Sequence, residues 1–471
     1  MSVTASSSTE DLGQKSIGRL LAQYSIPAII ASVATSLYNI VDSIFIGRGV
    51  GPMAIAGLAI TFPLMNLVAA FCMFIAAGGA AISSIFLGQR NYGRATDVVN
   101  NVFSLCLIHS VVFGGLTLLF LDPILYFFGA TDDTIVYARE FMEVILYGTP
   151  IAFVFIGLNN LMRATGYPRK AMVSALISVV VNVILAPIFI FKLGWGIRGA
   201  AIATVCGQFT AFVWVMIHFT SRNSSIHFRL HNRWLTWSII KRIYAIGMSP
   251  FLMNVCACVV VIFLNRALLD VGGADGNLCV GAYGILNRTT MFFVMVVFGV
   301  TQGMQPILGY NIGANNFDRV KSTLRKGIWL GVIITSVGWV VSEALPDMVS
   351  SLFTTDETLV RIARDGFRIY FIAYPVVGCQ IVIQNFFQSV GKPRLSIFLS
   401  LTRQLLFLLP FLLVFPGIWG IDGVWASMAA SDFLAFVVAI VTLWWWMRHV
   451  MRRMELRAGK LNPSTADDRN N

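Results

Sequence analysis

The chain has 471 residues, of which 57% are hydrophobic and only 12% charged, with a formal net charge of +12. That apolar share exceeds what a water-soluble domain can bury and identifies an all-α polytopic membrane protein. An open sheet in lipid is excluded because its edge N–H and C=O groups would go unsatisfied.

Residues 1–24 form a polar, Ser/Thr-rich segment without a signal-peptide core and cleavage site. The first apolar run is therefore expected to act as an uncleaved insertion signal. Runs long enough to span follow near 25–47, 53–80, 98–121, 135–161, 170–192, 197–219, 246–270, 279–305, 322–346, 360–388, 394–416 and 421–447. Twelve transmembrane helices are expected, at about 20 apolar residues per span. Residues 25–219 would form an N-lobe of spans one to six, and 246–447 a C-lobe of spans seven to twelve. The linker 220–245 carries Trp234, Trp237, Ile240 and Tyr244 at helical spacing beside Arg233, Lys241 and Arg242, which predicts an interfacial amphipathic helix. Span twelve ends WWWMRH, the pattern of an aromatic belt with basic anchors. Residues 448–471 are a basic tail, expected to be disordered after Arg457.

The 34 Lys and Arg residues are distributed unevenly. The two termini and the loops after spans two, four, six, eight and ten hold 24, the opposite loops and helix ends hold 8, and Arg288 and Arg403 fall inside spans. The positive-inside rule then puts both termini in the cytoplasm. The basic excess is a topology signal with contacts to anionic lipid headgroups, and no nucleic-acid partner is expected.

The two halves resemble each other at an offset of 223 to 225 residues. LGQRNYGRA at 87–95 matches IGANNFDRV at 312–320, and ATDDT at 130–134 matches TTDET at 354–358. ATGYPRKA at 164–171 matches SVGKPRLS at 389–396, GIRGAAIAT at 196–204 matches GIDGVWASM at 420–428, and SIP at 25–27 matches MSP at 248–250. Each repeat holds six spans. Six is even, so the repeats are parallel, related by a pseudo-two-fold axis along the membrane normal, and two six-helix bundles facing each other suit alternating access.

Charges inside spans are costly, roughly 2.5–3.5 kcal/mol on insertion scales, and mark functional candidates. Asp42, in LYNIVDSIFIG, lies about 7–8 Å below the outer end of its helix at 1.5 Å per residue. A carboxyl taken out of water gains and loses its proton nearer neutral pH, so Asp42 is the expected coupling acid. Tyr38 and Thr35 share its helical face and are placed to hydrogen-bond it. Arg288, Arg403 and Asp432 all fall near the midplane, and Asp432 is expected to pair with Arg403, Arg288 or both, either as a structural lock or as a second relay. Glu143 and Glu343, nearer the outer ends of spans four and nine, read as cavity-rim or interface residues. Asn182 is a polar mid-span residue that serves equally as a site residue or as an interhelical hydrogen bond. Pro187 should kink span five and free backbone carbonyls. The cysteines at 72, 106, 206, 256, 258, 279 and 379 lack CxxC or metal-ligand spacing and read as packing residues, and no structural metal is expected.

LYNIVDSIFIG, the GxPR turns after spans four and ten, GYNIGA at 309–314 and the six-plus-six repeat together resemble the multidrug and toxic compound extrusion (MATE) family, in its bacterial branch lacking an acid in span seven. The resemblance covers about residues 15–450. It implies a cation-coupled antiporter of the bacterial cytoplasmic membrane, without cofactor and not an enzyme, that expels amphipathic, often cationic, small molecules in exchange for H⁺ or Na⁺. Carried over residue by residue, the family's N-lobe cation site uses Asp42, the Asn182 of SVVVNVILAP and the Thr204 of GAAIATV. Many members have a second acid four residues after that Asn; here Ala186 stands there, which favours H⁺ over Na⁺. By analogy the substrate cleft lies between spans one, two, seven and eight, with Met65, Asn66, Phe71 and Met73 on span two and Met291, Phe292, Met295 and Phe298 on span eight, where lipid-facing packing would select the same residue types. A monomer is expected. A flippase of lipid-linked envelope precursors in the same superfamily is the alternative. HxxxxD, HExxH and GxSxG patterns, which an integral-membrane enzyme would use, do not occur.

Overall fold

The computed structural model describes residues 10–221, 224, 226–228, 234–354 and 356–459. Within them eleven apolar helical segments are long enough to cross a membrane, and the longest, Trp237–Gly313, is broken by a 3₁₀ turn at Gly273–Asp275. The spans are therefore twelve: α1 (Ile17–Gly49), α2 (Pro52–Gly88), α3 (Tyr92–Leu119), α4 (Ile135–Ala164), α5 (Pro168–Lys192), α6 (Gly196–Thr220), α7 (Trp237–Gly272), α8 (Gly276–Gly313), α9 (Phe317–Ala344), α10 (Glu357–Ser389), α11 (Pro393–Trp419) and α12 (Ile421–Arg457). Local chemistry sets their starts. Pro52, Pro168 and Pro393 occupy first turns, where a missing N–H costs nothing. The Asp356 carboxylate accepts from the amides of Thr358 and Leu359 to cap α10.

The internal repeat is visible in the backbone. Arg90 and Asn315, which face each other in the matched LGQRNYGRA and IGANNFDRV segments, both adopt φ of 56°, a left-handed conformation unusual for non-glycine residues. Gly166 and Gly391, in the two GxPR turns, are also left-handed. Short surface helices Leu121–Phe127 and Pro346–Ser351 follow α3 and α9 at the same offset.

The lobes meet through α1, α2, α7 and α8, and the close approaches concentrate at the end that carries the chain termini. Gly247 of α7 lies against the Phe74 carbonyl of α2, and Gly88 of α2 against the Tyr310 carbonyl of α8. Small residues let these backbones come together in the absence of a hydrophobic drive between helices. Ser25 Oγ donates to the Val300 carbonyl at 3.4 Å and Gln305 Nε2 to the Ala77 carbonyl at 3.2 Å. Farther along, Ser36 Oγ contacts Met295 Sδ at 2.9 Å, and the Phe71 and Phe251 rings sit 5.0 Å apart. Beyond that level Asn39 and Ile40 of α1 and Met291 and Phe292 of α8 are exposed. The molecule is thus closed at the terminal end and splayed at the other. Gly247→Val should open the closed end, because the added side chain meets backbone that cannot swing away. Overpacking of about 1–3 kcal/mol should raise maleimide labelling of a cysteine at the buried Ser84 position by about tenfold, on a chain whose native cysteines are replaced by alanine.

Both termini are fastened to this end. The turn of helix at residues 10–14 buries Leu12 completely. Arg319 donates to the carbonyls of Leu12 (3.1 Å) and Lys15 (2.6 Å) and to Asn311 Oδ1 (3.1 Å), and Asn311 Nδ2 donates to the Leu12 carbonyl (3.0 Å). At the other terminus Glu455, buried, pairs with Lys321 at 2.5 Å.

Two features differ from the expectation. The segment expected to be a separate interfacial helix is continuous with α7 from Trp237 on, since nothing breaks the helix before Pro250. It docks on the N-lobe: Tyr244 stacks on Phe74 at 4.9 Å, and the Thr236 amide donates to Asn101 Oδ1 at 2.7 Å. Arg233 lies outside the described residues, as do residues 1–9 and the tail 460–471 expected to be disordered. The WWW triplet is split, because successive residues point about 100° apart on a helix. Trp444 and Trp445 are exposed, whereas Trp446 is buried between Phe386 and Phe387. All seven cysteines are free, five of them buried.

Candidate functional site

Asp42 sits on α1 at the height where that helix packs on α5 and α6, and it is buried at 8% exposure. No basic side chain pairs with it among the described residues, and its Oδ1 is buried without a hydrogen-bond partner. Asn182 (3% exposed) and Thr204 (6%) come from α5 and α6 and meet each other: Asn182 Nδ2 donates to Thr204 Oγ1 at 3.0 Å, and Thr204 Oγ1 donates to the Ala200 carbonyl at 3.2 Å. Tyr38, one helical turn before Asp42, lies within interaction range of both Asp42 and Thr204. Thr35 does not join them; its hydroxyl donates to the Ala31 carbonyl of its own helix at 2.8 Å. One carboxylate, one amide and two hydroxyls share a buried pocket in the N-lobe, with no basic side chain beside them among the described residues. Such a pocket can hold a proton on Asp42, or a small cation among neutral oxygens.

Local chain chemistry shapes the α5 wall. Pro187 has no N–H, so the carbonyl of Val183, the residue next to Asn182, loses its helical donor. The helix continues as a π turn over Ile188–Lys192, closed by the Leu193 amide on the Ile188 carbonyl at 3.0 Å. Ala186 is fully buried one turn from Asn182, in the place where a second carboxylate would stand. Asn182→Ala should weaken any cation's occupancy of this pocket by about tenfold, since it removes the amide and frees the Thr204 hydroxyl, a change of about 1–1.5 kcal/mol. Ion-dependent protection of a cysteine at Ile40 from maleimide measures it.

The C-lobe charges are arranged differently from the N-lobe carboxylate. Arg403 Nε donates to Asp432 Oδ1 at 2.6 Å and its Nη2 to Oδ2 at 3.4 Å, with Asp432 4% exposed. Arg403 lies in the π turn Thr402–Leu408 of α11, beside Tyr370 and Tyr374 of α10. Arg288, offered above as a second partner, is exposed on α8 and takes no part in the pair. Glu143 and Glu343 are half-buried toward the splayed end. Met65 and Asn66 are half-buried on α2, Met291 is exposed, and Met295 meets Ser36.

One residue was missed by the sequence reading. Arg163, at the end of α4, counted there only as a loop charge. It is 9% exposed and reaches across the lobe boundary to donate to Gln302 of α8, and to Asn159 at 3.2 Å. Its place in the NNLMRATGYPRK stretch, between an apolar span and a turn, carried no sign of that partner.

Comparison with known proteins gives a consistent picture. The MatE family profile matches residues 27–188 and 245–414. The multidrug export protein MepA of Staphylococcus haemolyticus is 26% identical over 429 residues, covering 91% of this chain and 94% of that protein. MepA of Staphylococcus aureus strain N315 is 24% identical, covering 90% and 93%. Among solved structures, the MATE multidrug transporter DinF-BH, solved in complex with a ligand, is 34% identical with a TM-score of 0.84, covering 92% of this chain and 96% of that one. An outward-facing MATE family transporter of the MOP superfamily superposes at 0.87, with 22% identity over 97% and 99% of the two chains.

Proposed function

The chain belongs to the MatE family of transporters, and from that premise we propose that it exports amphipathic small molecules in exchange for H⁺, by rocking its two lobes about the interface of α1, α2, α7 and α8. It is a membrane transporter and not an enzyme. Multidrug export by MepA and the ligand complex of the multidrug transporter DinF-BH support the substrate reading. The observation that carries the coupling is Asp42, buried with no basic partner and with an unpartnered oxygen among the described residues. Loss of water raises the cost of the charged form, and binding a cation removes that cost. Ala186 leaves the pocket with a single carboxylate, so the neutralising cation we favour is H⁺ rather than Na⁺, which prefers several oxygens of higher charge. Asn182, Thr204 and Tyr38 would position the Asp42 carboxyl and hold its proton. The loop charge bias supports a bacterial cytoplasmic membrane location with both termini inside. On that orientation the splayed end faces outward.

The test is dye efflux from everted vesicles, with a pH gradient and a sodium gradient imposed separately. Efflux driven by the pH gradient alone is the expected result. Drive by sodium at clamped pH would assign the coupling to Na⁺ instead, and efflux insensitive to both gradients would end the coupling assignment.

A further inference from the structure

Arg288 is the charge that the N-lobe site and the C-lobe ion pair leave unused. The α8 face that meets α1 can be traced residue by residue: Gly303 lies against Ser25, Gly299 against Ile29, and Met295 against Ser36. At 3.6 residues per turn, Arg288 is two turns beyond Met295 and within about 20° of the same stripe. It therefore projects from the lobe-facing side of α8 into the splayed half of the cleft. Gly284, one turn farther on, has open space before it. Helices α1 and α8 run antiparallel, so the contacts above put Arg288 level with residues 40–43 of α1 across the gap, where Ile40 is exposed. Asp42 is turned about 120° from the stripe that carries Ser36, into the N-lobe, so a proton on Asp42 and a ligand at Arg288 occupy separate sites.

Among the described residues Arg288 has no carboxylate or hydrogen-bond partner, in contrast to Arg403, which Asp432 neutralises. A guanidinium near the midplane must face water or an anion. Its five N–H donors form a fork that fits a carboxylate or sulfonate. Met291, Phe292 and Ile40, all exposed on the same walls, supply apolar surface beside it.

We infer that Arg288 is the substrate-specificity residue of the cleft and that this transporter takes amphipathic organic acids, the acid on Arg288 and the apolar part on Met291, Phe292 and Ile40. The inference rests on the export reading above and narrows its substrate class.

Fluorescein and rhodamine 6G share a ring system and differ in the sign of their charge at neutral pH. With the full-length chain in proteoliposomes under a pH gradient, the wild type should move fluorescein in preference to rhodamine 6G. Arg288→Gln should weaken fluorescein transport by about tenfold or more, the scale of a lost charge-assisted contact, and Arg288→Lys should keep part of it. Met291→Glu, which sets an acid one turn from the intact arginine, should also depress fluorescein and spare rhodamine 6G, and it serves if Arg288→Gln does not fold. Fluorescein transport unchanged in both Arg288→Gln and Met291→Glu overturns the inference. So does a wild type that moves rhodamine 6G alone, a result that leaves export itself intact. A wild type that moves neither dye under either gradient overturns the export reading and this inference with it.

Discussion

Asp42→Asn is expected to reduce gradient-driven export to the level of empty vesicles while making the N-lobe more stable. Asparagine is close in size to aspartate and can hydrogen-bond, but it cannot ionise, so it mimics the neutralised carboxyl permanently. Asp42 is 8% exposed and, among the described residues, has no basic partner and an oxygen that no donor reaches. A charge in that position costs free energy in the unloaded state, and removing it relieves that cost. Functional sites commonly carry such a stability penalty. The two readouts therefore move in opposite directions: export falls, and the thermal unfolding midpoint of the detergent-solubilised protein rises. A merely structural aspartate would lose stability on the same substitution. Asp42→Glu keeps an ionisable group but shifts it by a methylene in a packed pocket, so partial export is expected. Full export by Asp42→Asn would remove the residue from the mechanism.

Asp432→Ala is expected to be the most destabilising single change in the C-lobe. It leaves the Arg403 guanidinium among Tyr370 and Tyr374 without the carboxylate that takes two of its N–H groups. Breaking a buried pair from one side costs about 3–5 kcal/mol, because the remaining charge is uncompensated, whereas replacing both partners with apolar residues of similar volume is often neutral. Arg403→Met with Asp432→Leu should therefore recover most of the stability that Asp432→Ala loses. The same pair of variants separates a lock from a relay. If the ion pair holds α11 to α12 and does nothing else, the apolar double variant still exports under a pH gradient. A folded double variant without export would give the pair a part in the transport cycle.

Much of this architecture can be read from residue order because a bilayer restricts the choices. Twelve apolar runs become twelve helices, since lipid leaves the backbone no other spanning solution apart from a closed barrel. The repeat is legible in LGQRNYGRA and IGANNFDRV because a tight turn demands particular residues at particular places, and Arg90 and Asn315 answer with the same backbone angle. Asp42 stands out because carboxylates are rare at that depth. What residue order does not reveal is rotation about each helix axis. Whether Arg288 or Arg403 meets Asp432, whether Trp446 faces lipid or Phe386, and whether Arg163 ends in a loop or on Gln302 all depend on which face each helix turns to its neighbours. Those rotations are fixed by packing across the whole bundle, through contacts such as Gly247 on Phe74 that join residues far apart in the chain. The start of α7 departs from the expectation for a related reason: a charged amphipathic stretch can run straight into a membrane span when a groove on the other lobe accommodates it.

The clasp on residues 10–15 has a mechanical consequence. These residues lead directly into α1, a helix of one lobe, yet Arg319 and Asn311 bolt them to the other. Only Lys15 and Ser16 separate the short helix from α1. Each swing that parts the lobes here must flex that two-residue joint or shed the bolt altogether, so the leash length, as much as the interface it bridges, limits the stroke of the machine.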